Sequence, residues 1–294
     1  MTKKLRGKVA IVTGSGSETG IGKETAKAMA AEGASVVIND IGKDPEGNYG
    51  ADKVVKTIKD AGGTAVANYD SITTMEGGRN IVKTAIDNFG KIDILVNTAG
   101  NYKIGPVVDM KESDWDAIIA VHLKGLFACT QAALRYMIEQ KSGRIINITS
   151  SAAWMPKMEM NPPQAAYSTA KAGVMGFTKM LSAEMAEYNI TVNALSPKAR
   201  TSLFPMPGKV VDGVQIVGPD YVAPLICYLA TDDAKDITGQ IFFMGSGNII
   251  AFAPPLIGPG EHQHLDKTGE EKWTQEELAD TVPFCWFGRA PSLL

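Results

Sequence analysis

Short runs of aliphatic and β-branched residues alternate with longer segments of helical periodicity along most of the chain. The first runs are KVAIVTG, ASVVIND, TAVANYD and IDILVNTAG, and between them apolar residues recur every three to four positions. In residues 20–32, for example, Ile21, Thr25 and Met29 share one face of a predicted helix. Alternation of this kind predicts βαβ units, a parallel sheet and right-handed crossovers.

The alternation continues to about residue 250 and predicts an α/β fold in a single domain. We expect a Rossmann-like, doubly wound parallel sheet of about seven strands with helices on both faces. Further helices are predicted over residues 50–61, 75–89, 167–188 and 222–231. Residues 1–250 would form this catalytic domain. Residues 251–294, rich in proline, glycine and charge, would be a C-terminal extension that packs on the domain or on a neighbouring subunit.

Composition limits the partners that the chain can take. A net charge of −3 with a pI of about 5.7 gives no general attraction to nucleic acid or to an anionic membrane. The basic start reaches glycine too soon for a signal peptide or a membrane span, which favours a cytoplasmic protein. The three cysteines form no CxxC pair, and the pair His262 and His264 lacks a third ligand at recognisable spacing. We therefore expect no disulfide and no metal.

A glycine-rich segment, TGSGSETGIG, follows the first predicted strand. Gly14, Gly16 and Gly20 would let backbone amides approach a pyrophosphate at the start of the next helix. The interval from Gly14 to Gly20 is two residues longer than the spacing G-x-x-x-G-x-G. Taken alone, the segment therefore fits either a phosphate cradle or an ordinary turn between strand and helix.

Polar residues stand at the predicted carboxyl ends of the strands, where parallel sheets bind ligands. Asp40 follows the second strand at the place where a carboxylate binds ribose hydroxyls and repels a 2′-phosphate, which favours NAD. Asp70 follows the third strand. Asn97, Ala99 and Gly100 follow the fourth, where small residues would let adenosine lie against the backbone.

A catalytic pattern lies in ITSSAAWMPKMEMNPPQAAYSTAKAG. Tyr167 and Lys171 are four residues apart and would share one face of a helix. A phenol with a pKa near ~10 needs a neighbouring positive charge to act as a base at neutral pH. Ser150, leaving a strand, could hydrogen-bond the same substrate oxygen, which gives an acid–base site for hydride transfer. Tyr49 and Lys53 repeat the spacing without an upstream serine, and we interpret them as a surface coincidence.

The segments TGSGSETGIG, ILVNTAG, NITSS, YSTAK and NALSP together resemble the short-chain dehydrogenase/reductase family over residues ~5–247. VVINDIG, DWDAIIAVHLKG and GPDYVAPLICYLATDD look like the (3R)-hydroxyacyl-CoA dehydrogenase module of peroxisomal multifunctional enzymes and its bacterial relatives. The resemblance implies Tyr167 as the acid–base, Lys171 as a ribose-binding residue that depresses the tyrosine pKa, and Ser150 as the group that orients the substrate oxygen. His122 would stand where many members carry a relay asparagine, although a histidine packed between helices is an equally good interpretation.

The resemblance also implies the cofactor and the assembly. NAD would be bound by Gly14, Ser15, Gly16, Gly20, Ile21, Asp40, Asp70, Ser71, Asn97, Ala99, Gly100, Tyr167, Lys171, Pro197 and Thr201. Two helices resemble the faces through which the family forms homodimers and homotetramers. The segment after the sixth strand is short, and its cations Lys198, Arg200 and Lys209 could meet the phosphate or carboxylate of a CoA thioester.

Two functions therefore compete. The first is an NAD-dependent oxidoreductase that interconverts a secondary alcohol and a ketone, on a 3-hydroxyacyl-CoA or another bulky hydroxy-acid derivative. The second is a non-catalytic subunit of a hetero-oligomer, which the lengthened glycine segment would fit through lost cofactor binding. The intact set of Ser150, Tyr167 and Lys171 favours the enzyme, and the spacing in YSTAK argues against an enoyl reductase.

Overall fold

The computed structural model describes residues 3–154, 163–203, 210–211, 214–215, 217–245 and 248–251. Strands and helices alternate through this part of the chain. The strands are β1 (Val9–Thr13), β2 (Ser35–Asn39), β3 (Thr64–Asn68), β4 (Ile94–Asn97), β5 (Gly143–Ile148), β6 (Ile190–Lys198), β7 (Val210–Val211), β8 (Val214–Gln215), β9 (Ile241–Gly245) and β10 (Asn248–Ala251). The helices are α1 (Ile21–Ala31), α2 (Gly50–Asp60), α3 (Met75–Phe89), α4 (Glu112–Ile119), α5 (Leu126–Gln140), α6 (Ala165–Glu184) and α7 (Ala223–Leu229).

Eight strands form one sheet in the order β10-β9-β6-β5-β4-β1-β2-β3, and β7 pairs with β8 separately. Seven of the eight are parallel, and β10 runs antiparallel to β9 at the edge. The doubly wound α/β fold is confirmed, with one strand more than predicted. The sequence interpretation placed Asn248–Ala251 at the junction with the extension, but these residues fold back on β9. An antiparallel edge strand needs no crossover helix, so the alternation of strands and helices along the sequence does not predict it.

The core lies on both faces of the sheet because the strands are buried on both sides. Along β1, Ala10 and Val12 belong to a cluster with α1, α2 and α7, whereas Val9 and Ile11 belong to a cluster with α3, α5 and α6. All five β1 residues are buried. Continuous apolar runs are the sequence signature of such a parallel sheet.

The helix ends follow local sequence. α3 has its predicted bounds, because the Thr74 side chain caps Gly77 N and Gly90 ends the helix with a φ of +79°. α6 begins before Tyr167 and ends at Glu184, and a short 3₁₀ turn (Ala186–Tyr188) replaces the predicted last turn.

A π-helical turn, Ala120–Gly125, joins α4 to α5 into one helical stretch, Glu112–Gln140. This stretch is long and apolar enough to cross a membrane by length and composition, and half of its most apolar window is buried inside the fold. A core helix of a soluble protein has the same composition, so the stretch is weak evidence for a membrane span.

The extension was predicted over residues 251–294. Ala251 belongs to β10, and the chain from residue 252 onward, with His262 and His264, lies outside the described residues. In the part of the chain that the structure describes, no group of three or more His, Cys, Asp and Glu side chains could hold a metal ion.

Candidate active site

A cavity of about 780 Å³ opens at the carboxyl ends of the parallel strands. Residues that follow β1, β2, β3, β4, β5 and β6 form its walls. β1 and β4 are neighbours in the sheet, although their connections run to opposite sides of it. The cavity therefore lies at the switch point of the doubly wound sheet, where this class of fold binds ligands.

The glycine-rich segment forms one end of the cavity and fits a pyrophosphate. Gly14 has a φ of +62°, and a Cβ atom there would lie 2.5 Å from Ala99 Cα. A Cβ atom on Gly22 would lie 2.5 Å from Gly14 O. Gly20 caps α1 without a side-chain hydrogen bond, so the first helical amides keep no side-chain partner at this cap. Close backbone approach and free amides at a helix start are what a phosphate group requires.

Ser15 and Gly16 support this segment from behind and do not form the cavity wall. The buried Ser15 hydroxyl donates to Val12 O at 2.7 Å. Gly16 packs against the start of α2, where a Cβ atom would lie 2.7 Å from Ala51 N. The Ser15 hydroxyl is thus engaged inside the fold, and the Gly16 amide, which the sequence interpretation assigned to the pyrophosphate, donates to Asp40 Oδ2 at 2.7 Å.

Asp40 and Asp70 line the cavity beside this segment. The two Asp40 carboxylate oxygens accept hydrogen bonds from Gly16 N and from Gly42 N, each at 2.7 Å. Asp70 accepts from the side-chain amides of Asn68, at 2.8 Å, and Asn80, at 3.0 Å. These bonds fix both carboxylates at the wall and leave lone pairs for ribose hydroxyls.

Asn97 lies behind the wall, because its side-chain amide donates to Asn147 Oδ1 at 2.9 Å and to Thr130 Oγ1 at 3.2 Å. It joins β4 to β5 and α5. The wall position belongs instead to Thr98, which the sequence interpretation missed. The amides of Thr98 and Ala99 both donate to Thr13 Oγ1 at 3.2 Å. The signal available for Thr98 was the pair of threonines, Thr13 and Thr98, at the ends of two parallel strands.

Ser150, Tyr167 and Lys171 meet at the other end of the cavity, as the sequence predicted. Tyr167 and Lys171 lie one turn apart on α6, with the lysine Nζ 5.6 Å from the centre of the phenol ring. Lys171 Nζ donates to Ile148 O at 2.7 Å, and Thr149 Oγ1 donates to Lys171 O at 2.8 Å. The end of β5 therefore fixes the lysine, and Ser150 hydrogen-bonds the phenol.

Burial controls the proton affinities of these groups. It raises the pKa of Tyr167 well above its usual value, against the lowering effect of the Ser150 hydrogen bond. Burial also lowers the pKa of Lys171 to about 7. The phenol is therefore protonated at neutral pH and is ready to donate to a substrate oxygen.

His122 lies in the π-helical turn and contacts the same phenol. Its ring stands edge-on to that of Tyr167, with centres 5.1 Å apart, and its Nε2 lies 2.7 Å from Asn101 O. Burial, with a smaller effect of the Lys171 charge, lowers the pKa of His122 to about 3. Nδ1 is buried without a hydrogen-bond partner among the described residues. A neutral imidazole with one unused nitrogen is thus available beside the acid–base group.

A second phenol, which the sequence interpretation also missed, lies beside the catalytic one. Tyr102 OH donates to Gln164 Oε1 at 3.0 Å, and its ring stands edge-on to Tyr167 at 5.4 Å between centres. Gln164 directly precedes α6. Tyr102 lies five residues after β4 and belongs to no motif, so no pattern in the sequence pointed to it.

The predicted cations do not all reach the cavity. Lys198 lines it, as do Pro197 and Thr201. Arg200 is exposed and lies outside the wall, with its amide bonded to Val217 O at 3.0 Å, and Lys209 lies outside the described residues.

The second tyrosine–lysine pair has no role at this site. Lys53 forms an ion pair with Asp44, with Nζ 2.6 Å from Oδ2. Tyr49 packs on Tyr69, with ring centres 4.1 Å apart. Neither residue lines the cavity, in agreement with the interpretation of this spacing as a coincidence.

Comparison with known proteins agrees with this geometry. The family model described as short chain dehydrogenase matches residues 8–203. The chain belongs to the short-chain dehydrogenase family. A short chain dehydrogenase from Mycobacterium avium has the same fold, with a TM-score of 0.83 and 35% identity over 98% of this chain and 97% of that one.

Two curated relatives bear on the chemistry of the family. The chain is 42% identical over 85% of its length to the peroxisomal hydratase-dehydrogenase-epimerase of Neurospora crassa, of which the match covers 27%. It is 41% identical over 84% of its length to the 3-oxoacyl-[acyl-carrier-protein] reductase of Synechocystis sp., of which the match covers 98%. The relatives of this family are oxidoreductases that act on hydroxyl and ketone groups, and the family binds a nicotinamide cofactor.

Proposed function

We propose that the chain is an NAD-dependent dehydrogenase that interconverts the 3-hydroxyl and 3-keto groups of an acyl thioester, of the CoA type. The observation that carries the proposal is the fixed carboxylate of Asp40 at one end of the cavity, with the Ser150, Tyr167 and Lys171 set at the other. A dinucleotide that spans these two ends would bring its nicotinamide beside the phenol.

The choice of NAD over NADP rests on charge. Asp40 would face the adenosine ribose, and a 2′-phosphate there would meet its negative charge at short range. The cations among the described wall residues are Lys171 and Lys198, and both belong to the other end of the cavity. Lys43, close to Asp40 in sequence, lies with its ammonium 4.3 Å from the centre of the Tyr49 ring.

The acid–base chemistry is assigned to the chain's own residues. A bound nicotinamide would supply or accept the hydride. Tyr167 would donate its phenolic proton to the ketone oxygen during reduction and accept it back during oxidation. Ser150 would hold the same oxygen, and the ammonium form of Lys171 would favour the phenolate by charge. His122 Nδ1, which is buried without a hydrogen-bond partner among the described residues, would accept from an internal water of a proton relay.

The thioester assignment rests on the relatives and on the cavity. The Synechocystis relative is a 3-oxoacyl-[acyl-carrier-protein] reductase, and its substrate is therefore an acyl group bound to a carrier. Tyr102 and Leu203 add apolar surface close to the catalytic end, which suits an acyl chain. Lys198 provides one cation in the wall for a phosphate or carboxylate.

Titration of the protein with NADH and NADPH, followed by fluorescence, tests the cofactor. We expect tight binding of NADH and weak binding of NADPH. Turnover of acetoacetyl-CoA, with a simple ketone such as acetoacetate as control, then tests the substrate class. Failure of both cofactors to bind would overturn the enzyme and leave the non-catalytic subunit. Equal turnover of the thioester and the free acid would overturn the CoA assignment.

We also propose that the protein is a homo-oligomer. Phe127 on α5 is 40% exposed and Met180 on α6 is 65% exposed, so both helices present apolar side chains to the outside. Light scattering of the purified protein gives the assembly size, and a monomer at micromolar concentration would contradict the proposal.

A further inference from the structure

The lengthened glycine-rich segment contacts the chain that follows β6. Thr19 O accepts a hydrogen bond from Ser202 N at 2.8 Å, and Thr19 N donates to Ser202 Oγ at 3.3 Å. The pairing is reciprocal and joins residues 183 positions apart. Thr19 lies in the interval between Gly14 and Gly20, which is two residues longer than the family spacing.

The partner segment, Thr201 to Leu203, forms part of the cavity wall. All three residues line the cavity, as do Ser17 and Thr19 of the glycine-rich segment. A Cβ atom on Gly100 would lie 3.6 Å from Leu203 Cδ2, which places the leucine beside the end of β4. Before this segment, Arg200 N donates to Val217 O at 3.0 Å. The segment is therefore held at one end by Val217 and is joined to the glycine-rich segment at Ser202.

We propose that the Thr19–Ser202 pair is a clasp that couples the two binding halves of the cavity. This inference rests on the proposed function, since the pyrophosphate would lie beneath the glycine-rich segment. A cofactor that orders the segment would, through the clasp, also order the wall that faces the substrate. By linkage, a closed wall would tighten binding of the cofactor, and we expect the tighter binding to appear as slower release. Thr19 and Ser202 act in this way as positioning residues and do not touch the reacting atoms.

The test uses two variants of the full chain. Deletion of Ser17 and Glu18 restores the family spacing and leaves Thr19 directly after Gly16, whose amide lies 2.7 Å from Asp40 Oδ2. We expect Thr19 in this shorter loop to be held too far from Ser202 to pair with it. Ser202→Ala removes only the hydroxyl that accepts from Thr19 N. Thr57→Val is the matched control, because it also removes a hydroxyl bonded to backbone, at 2.9 Å from Lys53 O, on an exposed part of α2.

Hydrogen exchange without cofactor tests the clasp itself. We expect the Ser202 amide to exchange about tenfold faster in the deletion variant than in the wild type, because its acceptor is lost. The Arg200 amide, bonded to Val217, is the internal control and should not change. Equal exchange of the Ser202 amide in both proteins would overturn the clasp, whether or not the cofactor binds.

Stopped-flow release of NADH tests the coupling. We expect release to be about fivefold faster in Ser202→Ala, the effect of one hydrogen bond of ordinary net strength, faster again in the deletion variant, and unchanged in Thr57→Val. Bound NADH should protect the backbone amide of residue 202 from exchange in the wild type and protect it less in both variants. Faster amide exchange with unchanged NADH release would overturn the coupling. Absence of NADH binding to the wild type would instead mark failure of the proposed function, and the coupling would fall with it.

Discussion

In the half of the cavity beside β1 and β2, the polar side chains already have partners. Asp40 accepts from two backbone amides, and the Asn39 side-chain amide donates to Asn68 Oδ1 and to Asp70 O, each at 2.9 Å. In the half beside β5 and α6, polar groups are buried with few partners, and this burial lowers the stability of the fold. The Lys171 ammonium has the carbonyl of Ile148, and His122 Nδ1 has no partner among the described residues.

The difference indicates that one half of the cavity is built for binding and the other for proton transfer. Paired groups at strand ends make a preformed surface, which binds by fit and loses stability when one partner is removed. Buried titratable groups have shifted pKa values, which is what proton transfer requires and what costs stability. Substitutions in the half beside β1 and β2 should therefore act mainly on binding and lower stability. Substitutions in the half beside β5 and α6 should act mainly on turnover and raise stability.

The sharpest test of the catalytic half is Tyr167→Phe. We expect turnover of acetoacetyl-CoA to fall roughly a thousandfold, because the proton donor is lost, with NADH affinity within about twofold of the wild type. Steady-state rates and a fluorescence titration measure the two effects.

Tyr49→Phe is the matched control for this variant, since Tyr49 has the same spacing to a lysine and lies outside the cavity wall. Its activity should remain that of the wild type. Loss of NADH affinity in Tyr167→Phe, or of activity in Tyr49→Phe, would contradict the division between the halves.

Asp40→Asn tests the binding half. The amide group can accept from only one of the two backbone amides that the carboxylate pairs, and it no longer repels a 2′-phosphate. We expect the KM for NADH to rise about tenfold and that for NADPH to fall, with kcat little changed. Asp87→Asn, which removes an exposed carboxylate paired with Lys83 on α3, should change neither constant. A fall in kcat with unchanged KM values would contradict the prediction that Asp40 acts on cofactor binding.

The sequence predicted the sheet and the catalytic trio because both depend on local signals. Alternating runs specify a parallel sheet, and a helix brings Tyr167 and Lys171 to one face wherever it begins. The side chains of Ser15 and Asn97 were assigned to the cofactor from position in a motif alone. Whether a polar side chain at a strand end points into the cavity or behind it depends on neighbours far along the chain, here Val12 and Asn147.

Contacts between segments that are distant in the sequence could not be predicted for the same reason. The contact between Thr19 and Ser202 and the packing of Tyr102 against Tyr167 join segments that no spacing relates. The additional length of the glycine-rich segment was visible in the sequence, where it would fit a non-catalytic subunit that has lost cofactor binding. The contact that this segment makes through Thr19 with Ser202, after β6, was not visible there.

Lys171→Met should reveal the cost of a buried ammonium through pH. The folded pKa of about 7 lies below the ordinary value of 10.5, so between these values the unfolded chain binds more protons and wild-type stability rises with pH. The variant lacks this rise. We expect the Tm of the variant relative to the wild type to fall by roughly 5 °C from pH 7 to pH 10. Thermal unfolding at both pH values measures it, and a constant difference would show that the lysine is not buried as described.

The smallest effect is expected for His122→Asn, which leaves a polar group in the π-helical turn. Because the pKa of His122 is about 3, the imidazole is neutral over the working range and should contribute no step to the pH dependence of kcat near pH 6.5. Its folded pKa lies below the unfolded value, so wild-type stability is lost as pH falls from about 6.5 toward 3. The variant should therefore gain roughly 3 °C in Tm on the wild type between pH 7 and pH 4.5. A step in kcat near pH 6.5 that disappears in the variant would instead make His122 a titrating member of the proton path.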